Sequence, residues 1–292
     1  MPTSSEAALP GRPQTIFIED VAQRRVLHCS DIHVGRRFQI EPARKLVEAA
    51  ARLAPDAVVV SGDVTMRARS GQYRRARALL EALPHPLVVI PGNHDIPLYN
   101  LPMRLVAPFA NYRRWIADLD DGAVDLGVCA LWSVNTINPF VHQKGRLSDG
   151  DLAAIEQWSR TLPAHTWRVV VVHQHFANTP DNPRPGIYAR ARERLERLAR
   201  AGVHLVVHGH VHQSGVFTGA EFFPDFPVPI VVAAAGTPSS GRTRGGERSY
   251  QFNLLAFERT RLAIQVWNWN AQRSDFEPGE TRAFDRAFFG VG

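Results

Sequence analysis

Five times in this chain an apolar run stops in residues that bind metals or move protons. Val26-Leu27-His28-Cys29 runs into Ser30-Asp31-Ile32-His33, residues 57–60 into Ser61-Gly62-Asp63, and residues 87–90 into Pro91-Gly92-Asn93-His94-Asp95. Residues 169–172 run into His173-Gln174-His175, and Leu205-Val206-Val207 into His208-Gly209-His210-Val211-His212. A short apolar run closed by turn residues reads as a buried strand. Sites in open α/β sheets form outside the carboxyl ends of strands, so five such ends can converge although Asp31 and His212 lie far apart in sequence.

Helical periods separate the first runs. Ala43, Leu46, Val47, Ala50 and Leu53 predict a helix over 41–53, and Ala76, Leu79, Leu80 and Leu83 one over 72–83. Parallel strands joined by helices cross over right-handed, which sets the ends at Asp31, Asp63 and Asn93 side by side. Residues 103–119 read as a helix broken near Pro108, with Phe109, Tyr112 and Trp115 as packing residues. A strand is expected over 127–135, a helix over 148–162 with a capping box from Ser148 and Asp151, and a helix over 187–201 ended by Gly202. After His212 the pattern turns to strands at 229–234, 251–257 and 261–269, the last two a hairpin around Arg259-Thr260. Two packed sheets with helices outside suit such a chain.

The 292 residues, 45% hydrophobic, suffice for one large core, and no linker separates the five blocks. The expected division is a flexible tail over 1–14, a catalytic domain over 15–270 that opens with an edge strand at 15–18, and a C-terminal extension over 271–292. In the extension Phe284, Phe288 and Phe289 form a short amphipathic cluster expected to pack on its own chain. No apolar run is long enough to span a membrane and residues 1–12 lack a signal peptide's pattern, so a cytoplasmic protein is expected. Cys29 and Cys129 read as buried free thiols.

The net charge of +6 raises the question of nucleic acid. The cations are Arg apart from Lys45 and Lys144, and Arg190, Arg192, Arg194, Arg197 and Arg200 interleave with Glu193 and Glu196, the pattern of a solvated helix face. Nucleic acid is therefore not the expected partner, and whether the chain forms a homodimer is left open.

Asp31, His33, Asp63, Asn93, His173, His210 and His212 combine carboxylates, imidazoles and one amide oxygen. This donor set suits borderline divalent ions such as Mn, Fe or Zn, and the lack of nearby Cys argues against a structural zinc site. Seven ligands are too many for one ion; two ions bridged by Asp63 would use all of them and leave positions for water and a phosphate oxygen. Asp-x-His and His-x-His at strand ends are expected to place each pair on one face.

Taken in order, Asp31-x-His33, Gly62-Asp63, Gly92-Asn93-His94-Asp95, His173 and Gly209-His210-x-His212 resemble the calcineurin-like metallophosphoesterase superfamily, within it most nearly the bacterial class III cyclic nucleotide phosphodiesterases. The resemblance implies a four-layer αββα sandwich, with two mixed sheets flanked by helices. It implies Asp31, His33, Asp63 and His212 on one ion, and Asp63, Asn93, His173 and His210 on the other. His94 is implied at the leaving-group oxygen as proton donor or charge stabiliser, with Asp95 orienting it.

The expected activity is hydrolysis of a small phosphodiester, foremost a 3',5'-cyclic nucleotide, by in-line attack of a metal-bridging hydroxide. A phosphomonoesterase or nucleotide-sugar/lipid pyrophosphatase could use the same site; a nuclease and a non-catalytic binding module are the remaining alternatives. Asn93, His94, His175 and Arg36 are candidate substrate contacts. Arg37, Tyr99, Asn100, Arg184, Arg242 and Arg244 either rim the pocket or are plain loop residues. His208, which breaks the apolar run before Gly209, reads as a hydrogen-bonded core histidine.

Overall fold

The computed structural model describes residues 23–141, 143–177, 188–241 and 250–290. The expected tail over 1–14 and edge strand at 15–18, and Arg184, Arg242 and Arg244, lie outside them. The elements run β1 (Gln23–Cys29), α1 (Ile40–Leu53), β2 (Ala57–Val60), α2 (Ser70–Leu80), β3 (Leu87–Val89), α3 (Leu101–Val106), α4 (Ala110–Trp115), β4 (Ala123–Asp125) and β5 (Cys129–Ser133). There follow α5 (Asp149–Thr161), β6 (Trp167–Val171), α6 (Ala191–Arg200), β7 (Leu205–His212), β8 (Gly215–Thr218), α7 (Gly219–Phe222), β9 (Val231–Gly236), β10 (Gln251–Glu258), β11 (Arg261–Asn270) and β12 (Asp275–Asp285).

Two six-stranded mixed sheets form, in the orders β12-β11-β10-β1-β2-β3 and β4-β5-β6-β7-β9-β8. Alternation along the central strands assigns each side chain to a layer. Val26, Val59 and Val88 from one sheet meet Val169, Val171 and Val207 from the other in the core between the sheets. Leu27, Val58, Val60 and Val89 face outward onto Leu46, Ala49 and Ala50 of α1 and Tyr73, Ala76 and Leu80 of α2. Val170, Val172 and Val206 do the same onto Leu152 and Ile155 of α5 and Leu195 and Leu198 of α6. The result is the expected αββα sandwich.

Local chemistry sets several boundaries. Ser148 accepts the Asp151 N–H while the Asp151 carboxylate takes the Ser148 N–H, which completes the capping box of α5 and stabilises its start by about 1 kcal/mol. The strand expected over 127–135 forms as β5, and it is the second arm of a hairpin: Gly127, at a φ of 79°, lies in the turn from β4. The short β8 edge strand has no counterpart in the sequence reading.

The extension expected over 271–292 carries a strand of its own. Its β12 pairs antiparallel with β11 from Asn270↔Asp275 to Arg261↔Asp285 and forms the edge of the first sheet. Phe284 enters the inter-sheet core and Phe289 packs against it, so the cluster docks on its own chain but as part of the sandwich. Cys29 and Cys129 are buried free thiols. The α6 arginines pair as Arg190–Glu193, Arg194–Asp149, Arg197–Glu156 and Arg200–Glu196. Among the described residues no helix is long and apolar enough to cross a membrane.

Candidate metal centre

Strands β1, β2 and β3 lie parallel and adjacent, as do β6 and β7 in the facing sheet, so their carboxyl ends open onto one edge of the sandwich. The loops there are stitched together. Asp31 N–H donates to Gly62 O (3.0 Å) and His33 N–H to Asp63 O (2.9 Å). His210 N–H donates to Asp31 Oδ2 (2.7 Å) and His94 N–H to Asp63 Oδ1 (2.7 Å). His173 Nδ1 lies 2.8 Å from Ser61 O, an acceptor that directs Nε2 of the same ring into the cleft.

Two groups of buried ligand atoms result, Asp31, His33, Asp63 and His212, and Asp63, His173 and His210. In the first, His212 Nε2 is 3.0 Å from Asp31 Oδ1 and 3.0 Å from His33 Nε2. In the second, Asn93 Oδ1 sits 3.2 Å from His173 Nε2 and 2.9 Å from His210 Nδ1. Asp63 belongs to both: Oδ2 is 3.6 Å from His33 Nε2 and Oδ1 is 3.6 Å from His173 Nε2. Burial works against ionising Asp31, but the facing imidazoles, His212 foremost, hold its carboxyl well below the usual carboxylate range. Asp31 Oδ1 has no well-aligned hydrogen bond despite complete burial. Carboxylate oxygens and imidazole nitrogens crowded into one dry volume repel one another unless cations lie between them, so the donor set fits a dinuclear divalent centre.

The backbone is unusual at these residues. Asp31, His33, Asp63, His210 and His212 all have left-handed φ, between 52° and 69°. Such conformations cost L-residues about 1–2 kcal/mol each, less for Asp, and cluster where function over-determines them. They also correct the strand-alternation reading of the Asp-x-His and His-x-His pairs. Each pair does converge, but through left-handed kinks, and at His210 and His212 through a register break against β9. Glycine is required where these loops touch. A Cβ at Gly92 would collide with Asp63 Oδ1 and N, and one at Gly209 with Ser30 Oγ.

His94 stands edge-on to His33, ring centroids 4.9 Å apart. Its Nδ1 is 3.1 Å from Arg67 Nη1 and 3.0 Å from Met66 O. Asp95, expected to orient it, does something else. Its carboxylate accepts from Val64 N (3.0 Å), Gly92 N (2.9 Å), Thr65 N (2.8 Å) and Thr65 Oγ1 (2.8 Å), tying the Asp63 loop to the Asn93 loop. Burial pushes the Asp95 carboxyl up to about 6, against those donors.

His175 belongs to neither group and stacks on the His210 ring, centroids 5.7 Å apart. Arg36 lines a separate cavity beside the centre, with Arg37. Asn100 is a helix cap, accepting from Met103 N (3.1 Å). His28 pairs with Ser61 Oγ (2.9 Å) and His208 Nδ1 lies 2.9 Å from Gly209 O, as core histidines do. Sequence reasoning missed Arg67, whose signal was its place four residues past Asp63, and Thr237 and Ser239, whose hydroxyls donate to Asp31 O (2.7 Å) and Ile32 O (3.0 Å).

Residues 24–214 match the calcineurin-like phosphoesterase family, and the chain belongs to it; it is a metal-dependent phosphoester hydrolase. It is 25% identical over 256 aligned residues to a cAMP/cGMP dual-specificity phosphodiesterase of Mycobacterium tuberculosis, covering 79% of this chain and 74% of that protein. A stretch of 41 residues is 58% identical to a glycerophosphodiester phosphodiesterase of Enterobacter lignolyticus, covering 14% of this chain and 15% of that protein. The fold matches a purple acid phosphatase from yellow lupin (Lupinus luteus) seeds at a TM-score of 0.65 and 13% identity, over 90% of this chain and 54% of that one. It matches a dimetal phosphatase from Danio rerio at 0.61 and 15%, over 90% and 98%.

Proposed function

We propose that this chain hydrolyses a small phosphodiester, with a 3',5'-cyclic nucleotide as its leading substrate. The observation that carries the reading is Asp63, whose two carboxylate oxygens face two separate ligand groups. The similarity to the mycobacterial cyclic nucleotide phosphodiesterase, along most of both chains, supports the choice of substrate.

Asp31, His33, Asp63 and His212 would hold one ion and Asp63, Asn93, His173 and His210 the other, with manganese, iron or zinc as candidates. When bound, such ions acidify water and neutralise phosphate oxygens. The chain's own residues do the rest. His94 would act from its doubly protonated form, passing the Nε2 proton to a leaving-group oxygen and returning to a neutral imidazole, with Arg67 Nη1 3.1 Å from Nδ1. Met66 O would accept from Nδ1 once the ring is doubly protonated. Asp95 keeps the Asn93 and Asp63 loops in register.

The test sets cyclic AMP, bis-p-nitrophenyl phosphate and p-nitrophenyl phosphate side by side after stripping and re-adding manganese, with Asn93→Ala as control. Turnover of both diesters that vanishes in the variant is expected. Turnover of the monoester alone would make the protein a phosphatase and overturn the diester reading.

A further inference from the structure

Beside the metal centre is an open cavity of about 580 Å³ lined by Arg36, Arg37, Arg67 and Arg69 with Met66 and Gln72. Its volume is that of a small-molecule site, and no carboxylate is among these lining residues. Elsewhere arginines of this chain are neutralised, as in Arg77 with Glu81 and Asp118, or Arg197 with Glu156. Among the described residues, none of the four cavity arginines makes an ion pair.

The cavity is held to the centre by two short, tied segments. Arg36 and Arg37 follow His33 by three and four residues, and Arg67 and Arg69 follow Asp63 by four and six. Three residues reach at most about 11 Å. Met66 N–H donates to Val34 O (3.1 Å), Arg67 N–H to Gln72 Oε1 (2.9 Å), and Asn111 Nδ2 to Ala68 O (2.8 Å). Arg67 itself reaches His94. Four cations lining one cavity with no carboxylate among the described lining residues repel one another, and an anion relieves this through charge-assisted, bidentate hydrogen bonds.

We propose that this cavity binds a second phosphate of the substrate, one nucleoside away from the scissile diester. The inference rests on the diesterase reading and narrows it. A cyclic mononucleotide offers the cavity nothing, so a nucleotide diester carrying a further phosphate would displace the cyclic nucleotide as the leading substrate.

The probe pair is thymidine 5'-(p-nitrophenyl phosphate) with and without a 3'-phosphate, which share leaving group and scissile diester. In the manganese-loaded enzyme the 3'-phosphate is expected to raise kcat/KM about tenfold or more, mainly through KM. The KM advantage should shrink from low salt to 0.5 M NaCl. In Arg37→Gln/Arg69→Gln the ratio between the two substrates should fall towards one; as a ratio within one preparation, it is independent of the folded fraction. Equal kcat/KM for the pair in the unaltered enzyme, or a ratio the double variant leaves intact, overturns the proposal while leaving the diesterase reading standing. Silence on both probes, on cyclic AMP and on bis-p-nitrophenyl phosphate would overturn the diesterase reading itself.

Discussion

The two halves of the proposed metal centre are built differently. Asp31, His33, Asp63 and His212 bring two carboxylates together, and all four have left-handed backbone, φ 52° to 64°. The other half shares Asp63 but adds the neutral amide of Asn93 with His173 and His210, and of these three only His210 is left-handed. The first half therefore concentrates charge and backbone strain, while the second spends only a shared charge. Affinity for a hard or borderline cation grows with the ligands' negative charge, so the first ion should be held and the second exchanged.

The substitution that breaks both halves at once is Asp63→Ala. Diester turnover should fall at least about a thousandfold, and bound manganese, measured after gel filtration, should fall towards zero. Retention of one ion would show that Asp63 is not shared. His94→Gln lies outside both halves: two ions should stay bound while kcat drops about a hundredfold. The loss should be larger for cyclic AMP, whose alkoxide needs a proton, than for bis-p-nitrophenyl phosphate; equal losses would remove His94 from the leaving group.

Asymmetry between the halves is sharpened by chelator competition. The unaltered protein should give up one ion well before the other, Asn93→Asp should bring the two closer, and simultaneous release would contradict the charge argument. The smallest effect comes from His204, remote from both groups, whose Nδ1 accepts the Arg168 N–H (3.1 Å). Burial, with help from Arg286 and Arg168, lowers its pKa from 6.5 to about 3. A depressed pKa means the unfolded chain binds the proton first, so this stability contribution is complete above pH 6.5 and is lost as pH falls towards 3. His204→Gln should leave neutral-pH turnover unchanged and flatten urea midpoints between pH 7 and 4.5; an unchanged slope would dismiss the effect.

The central sheets and the polar blocks at their strand ends were legible because they obey local rules. Valine runs such as residues 169–172 can only be buried strands, and each ends in a polar block that the parallel topology gathers at one edge. What escaped depends on long-range geometry. Asp95 follows His94 in sequence, yet its carboxylate turns to amides some thirty residues back, at Val64 and Thr65. Strand β12, with Pro278, Gly279 and several charges, lacks a strand's pattern because an edge strand needs only its backbone and a few inward residues such as Phe276 and Phe284. The left-handed kinks at His210 and His212 were invisible because the residues that impose them come from other loops.

The most direct test of the account is a titration of manganese into stripped protein, reading bound metal and bis-p-nitrophenyl phosphate turnover in the same samples. Turnover that stays near zero through the first equivalent and rises with the second, to an end point of two ions per chain, is the predicted result. Full turnover with one ion bound, or none with two, would contradict a dinuclear phosphodiesterase built around Asp63.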